Sequence, residues 1–129
     1  MDNFSYCTEE MLNALRKNKQ VFLVPKESED PRSLMRAYVV YFNFLEEFGY
    51  NWDAFNDCVC SYDDFSQHNV RILHFDVPLQ SSSRDQKIYL RILNRSVDFW
   101  RKPDLAEHHN VAIYFPESCR SEIAKVLDS

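Results

Sequence analysis

A chain of 129 residues with 45% apolar and 15% aromatic residues can close one hydrophobic core and is too apolar for a disordered tail. Its 20 acidic residues outnumber 15 basic ones, and the resulting formal charge of −5 argues against direct, non-specific binding of nucleic acid. No apolar run approaches the roughly 20 residues of a spanning helix, so no membrane contact is expected, and the polar start MDNFSYCTEE is unlike a secretory signal. Cys7, Cys58, Cys60 and Cys119 could make two disulfides, but a core-forming chain with such a start predicts free thiols and a cytoplasmic, reducing location.

Taken in order, Thr8 is placed to cap a helix over residues 8–18. Glu9 and Glu10 suit its first turn, Arg16 and Lys17 its last, and Met11, Leu12 and Leu15 form its apolar face. Gln20–Pro25, QVFLVP, reads as a buried strand that proline ends, and Lys26–Arg32 as a loop. From Asp30 or Ser33 onward, Leu34, Tyr38, Tyr41, Phe42, Leu45 and Phe48 recur at three- and four-residue spacing, which predicts a long amphipathic helix. Gly49, the only glycine, would stop it in a left-handed conformation.

Asn51 then caps a short helix with Asp53 in its first turn. Trp52, Phe55 and Val59 face inward, with Tyr62 the next candidate, while Asp53, Asn56, Asp57, Cys60 and Asp64 share the other side. After a turn at His68–Asn69, Val70–Val77 reads as a second strand and Gln80–Arg84 as a loop. Asp85 starts a helix with Tyr89, Ile92, Leu93, Val97 and Trp100 along its core face, and Asp104–His109 adds one turn. Asn110–Phe115, apolar at consecutive positions, reads as a strand covered on both faces, and Ser118 as the cap of a terminal helix over residues 118–127. The expected fold is α/β: a small three-stranded parallel sheet packed by helices, in a single domain over residues 1–129. The terminal helices would be additions to it.

Few motifs carry chemistry. One glycine cannot build a phosphate-binding loop, and there is no nucleophile elbow. Cys58-x-Cys60 lacks metal or redox spacing; Cys58 is expected buried and Cys60 partly exposed. His108–His109 reads as ordinary surface histidines. No cofactor or metal is expected. The charge pattern says more. Glu46–Asp64 holds Glu46, Glu47, Asp53, Asp57, Asp63 and Asp64, and no lysine or arginine lies between Arg36 and Arg71. Outside that stretch 15 basic residues meet 14 acidic ones, so the whole excess is local. Asp53 and Asp57, four apart on a helix, sit one above the other and repel. Three readings fit: a solvated face, a cation site or hydrolytic carboxylate pair, or a surface for a basic protein partner.

The segment Phe48–Cys58, FGYNWDAFNDC, resembles the signature of the barstar family, intracellular inhibitors of secreted ribonucleases. The resemblance rests on Phe48, Gly49, Asn51, Trp52, Asp53, Ala54, Phe55, Asp57 and Cys58, and the order of elements is similar from Gln20 through Phe115. It implies a barstar-like fold, no enzymatic activity, and a partner-binding surface on the short helix and the loop before it. The implied partner is a nuclease or related toxin, with the chain its immunity protein. Asp57 matches the aspartate that replaces a substrate phosphate in the enzyme's cationic cleft, Asp53 the other interfacial aspartate, and Gly49 and Asn51 the contacting loop. Glu47 stands where barstar carries an interface tyrosine and Asn56 where it carries a tryptophan, while Tyr50 offers a substitute ring. Asp104 and Glu107 are the nearest matches to a later acidic contact. The alternatives are a non-inhibitory interaction domain and an acidic-site metal-binding or hydrolytic enzyme.

Overall fold

The computed structural model describes residues 2–26, 28–44, 49–60, 69–102 and 110–129. Its sheet has four parallel strands, not three: β1 (Ser5–Cys7), β2 (Phe22–Leu23), β3 (Asn69–Leu73) and β4 (Asn110–Pro116), in the order β1-β4-β3-β2. Five α-helices lie among the described residues: α1 (Glu9–Arg16), α2 (Pro31–Phe42), α3 (Trp52–Val59), α4 (Ser83–Trp100) and α5 (Arg120–Asp128).

The added strand is β1. Its three residues pair with Tyr114, Phe115 and Pro116, too short a run to show a period of two. Tertiary contacts fix it instead. The Asn3 amide donates to Asn94 Oδ1 at 2.7 Å, Arg101 reaches Asn3 Oδ1 at 3.0 Å, and Phe4 packs on Phe115 at 5.0 Å between ring centroids.

Several boundaries shift. β2 pairs only through Phe22–Ile72 and Leu23–Leu73, and β3 stops at Leu73, where its pairing with β4 also ends, well before Val77. Asp30, not Ser33, caps α2 by accepting from the Arg32 and Ser33 amides. That helix ends at Phe42, where Asn43 takes the left-handed conformation and its amide bonds to the Val39 carbonyl. Leu45 and Phe48, expected within it, lie outside the described residues, as do Glu46, Tyr62, His68 and the turn at 104–109. α4 starts at Ser83 under a Ser82 cap. Ser118 makes no cap; it sits in a short 3-10 turn, Glu117–Cys119, ahead of α5.

Nor is the sheet covered equally on both faces. Along β4, Val111, Ile113 and Phe115 are buried while Ala112 and Tyr114 are half-buried. The dry face joins Phe22, Val70 and Ile72 to the core residues of α2, α3 and α4. α1 packs near β1 and β3, yet none of its residues is fully buried.

One polar chain crosses that core. His74 Nδ1 lies 3.1 Å from the Tyr114 carbonyl, an acceptor, so this nitrogen carries the proton. Nε2 then accepts from the Tyr89 hydroxyl at 2.7 Å, and Tyr89 in turn accepts from the Tyr38 hydroxyl at 2.6 Å. All three side chains are fully buried and each finds a partner, as burial of polar atoms requires. Burial in these surroundings lowers the His74 pKa to about 3 and raises the Tyr38 and Tyr89 hydroxyls above their ordinary value.

Candidate functional site

α3 is a short helix held from beneath at both ends. Asn51 Oδ1 accepts from the Ala54 amide at 2.8 Å, closing its first turn. Trp52 Nε1 donates to Asp85 of α4 at 3.0 Å, and Trp100 Nε1 donates to the Val59 carbonyl at 2.8 Å. Between these ties Phe55 is fully buried, edge-on to Tyr38 at 4.8 Å and tilted against Tyr89 at 5.9 Å. The His74–Tyr89–Tyr38 chain is therefore the floor on which α3 rests. Eight residues hold little helical structure alone, so these contacts define the helix. Replacing Asn51 by alanine is expected to cost about 1 kcal/mol of stability. A urea melt checks this, and an unchanged midpoint would contradict the cap assignment.

The loop before α3 inverts the expected roles of its residues. Gly49 has no left-handed backbone; Tyr50 does, at φ 51°. Such a conformation costs roughly 1–2 kcal/mol in a residue with a Cβ, and the Tyr50 ring is held by the Arg32 guanidinium 4.5 Å from its centroid. Gly49 leaves space instead: a Cβ there would come within 2.9 Å of Asn51 Nδ2, so another residue would have to displace the capping side chain. The glycine and the cap thus form one unit.

Asp53 and Asp57 are exposed on the outer face of α3, and neither has an ion-pair partner among the described residues, where the one ion pair joins Arg120 to Glu117. Their positions differ electrostatically. Asp53 lies in the first turn, where the helix dipole favours an anion; Asp57 lies near the carboxyl end, where it does not, and the last turn of α3 has no basic residue of its own. Asn51 and Gly49 are exposed on the approach to the helix. Asn56 is half-buried and turned toward α4, its Oδ1 3.5 Å from Arg95 Nη2. Glu47, Asp63, Asp64, Asp104, Glu107 and both His108 and His109 lie outside the described residues.

Cys58 is half-buried rather than buried, like Cys60, and all four cysteines are thiols rather than disulfides. Burial pushes the Cys60 thiol pKa up, which Arg95 partly counters. No cluster of three histidine, cysteine or acidic side chains suited to a metal occurs among the described residues. None of their helices is long and apolar enough to cross a membrane. Sequence spacing missed two residues at the site's edge, Arg95 of α4 and Lys102 just beyond that helix. Nothing local in the sequence links either of them to α3.

A small α/β scaffold that fixes a short helix from below and presents its carboxylates outward has the character of a binding protein. The barstar family model, described as barstar (barnase inhibitor), matches residues 18–115, and the chain belongs to this family of inhibitors. No curated protein and no solved structure matches the chain significantly. The family match leaves out β1, α1 and everything after Phe115.

Proposed function

We propose that this chain is a stoichiometric inhibitor of a ribonuclease or related toxin, acting in the cytoplasm as its immunity protein. The outer face of α3 enters the basic active-site cleft of that enzyme. Asp57 takes the place of a substrate phosphate, Asp53 pairs beside it, Gly49, Tyr50 and Asn51 form the rim, and Glu47 and Asn56 complete the contact. A carboxylate suits this role because arginine holds it through two parallel hydrogen bonds. The enzyme is blocked by occlusion, without covalent chemistry or a cofactor. β1, α1 and α5 are elaborations of the same single domain.

One observation carries the reading: two exposed aspartates without ion-pair partners among the described residues stand on a helix whose position is fixed by buried contacts. A helix already in its bound position loses little freedom on association, which favours affinity. The local acidic excess supplies long-range attraction toward a basic cleft. Association with barnase is therefore expected to slow at least about tenfold between low and high salt. A stopped-flow association rate independent of ionic strength would contradict it.

A further inference from the structure

Beside the aspartate face lies a groove of opposite character. Asn56 of α3, Cys60 at its C-cap, Arg95, Asp98 and Phe99 of α4 and Lys102 just past it line a shallow, open hollow of about 350 Å³. Arg95 and Lys102 make no ion pair among the described residues, Asp98 included. The Arg95 guanidinium makes one long contact, to Asn56, and the Lys102 ammonium lies 4.9 Å from the Phe99 ring centroid. Asn56 belongs to both surfaces, so the groove continues the α3 face rather than forming a separate site.

We propose that this groove receives a carboxylate side chain of the same protein partner whose basic cleft takes Asp53 and Asp57; the inference rests on the function proposed above. The occupant is a glutamate or aspartate beside that cleft. Arg95 is suited to grip it through two hydrogen bonds, Lys102 adds a second positive charge, and Phe99 and Cys60 offer an apolar floor for its methylenes. An acidic face alone attracts any basic surface. Two cations next to it penalise a partner with lysine or arginine at that point and reward one with an acid, which sets both selectivity and docking orientation.

The test uses the full chain and two probes. Benzoate, a carboxylate on a ring, is titrated while NMR follows the Arg95 side chain and the Phe99 ring. Saturable shifts are expected, lost in the R95Q/K102Q variant. Barnase is then the protein probe: R95E/K102E is expected to weaken its binding at least about tenfold with unchanged thermal stability, both substitutions being on exposed positions. The absence of saturable benzoate shifts overturns the inference. So does unchanged barnase affinity of R95E/K102E when Asp57→Ala weakens binding, an outcome that leaves the inhibitor reading intact. Failure of the wild-type chain to bind barnase, or equal binding by Asp57→Ala, counts against the inhibitor reading and the inference built on it.

Discussion

Replacing Asp57 by alanine is expected to weaken ribonuclease binding by about 2–5 kcal/mol, roughly thirtyfold or more. That is the general range for truncating one half of a desolvated interfacial charge pair, and the barnase–barstar complex itself contributes to it. Most of the loss arises because the enzyme's cations, dehydrated in the complex, would be left without their anion. The free protein should respond in the opposite sense. Asp57 sits near the carboxyl end of α3, four residues from Asp53, and the last turn has no basic residue. Removing it relieves the dipole and the like charge, so stability should stay level or rise by about 0.3–1 kcal/mol. Isothermal titration and a denaturant melt on the same variant read both effects. Loss of binding together with loss of stability would show a structural role for Asp57 instead.

The second large effect concerns His74. Folded, it is neutral, because burial between Phe115, 3.9 Å away in a stacked arrangement, and the Tyr89 hydroxyl lowers its pKa to about 3. Unfolded, it has the ordinary value near 6.5. Between these values the unfolded chain holds a proton that the folded one excludes. Stability is therefore complete above pH 6.5 and falls by about 1.4 kcal/mol for each unit below it, until pH approaches the folded value. No carboxylate faces the ring in this network; its partners are Tyr89, the Tyr114 carbonyl and, one bond further, Tyr38. A His74→Phe variant should be less stable at pH 7, since Tyr89 loses its acceptor, but should show a shallower decline between pH 6.5 and 4.5. Equal slopes in urea melts across that window would refute the assignment. Because Phe55 packs on Tyr38 and Tyr89, and Trp52 on Tyr89, the same acid step removes the floor beneath α3.

Much of this architecture is legible in the chain itself, for physical reasons that differ by element. α3 could be read because its cap, its buried Phe55 and Val59 and its outward aspartates all follow one helical period. The core stripe of α4 was equally plain: Tyr89, Ile92, Leu93, Val97 and Trp100 are all buried. β1 was not, because three residues paired at a sheet edge gain their structure from Tyr114–Pro116 and from Asn94, far along the chain. The end of α2 at Phe42 is hidden for another reason. Phe44 is buried beyond the helix, so apolar spacing continues past the point where Asn43 turns the backbone. Gly49 shows how a correct residue can carry the wrong reason: the left-handed position belongs to Tyr50, and the glycine makes room for Asn51. The cations at the site's edge depend on how α3 and α4 lie together, which no local pattern encodes.

Occlusion of a ribonuclease active site is tested most directly by activity titration. Barnase at a concentration well above the expected dissociation constant is titrated with the protein while RNA cleavage is followed. Linear loss of activity to zero at one equivalent, with binding displaced by a nucleotide occupying the cleft, is the predicted result. Full cleavage at several equivalents, or binding that leaves the cleft open to nucleotide, would contradict it.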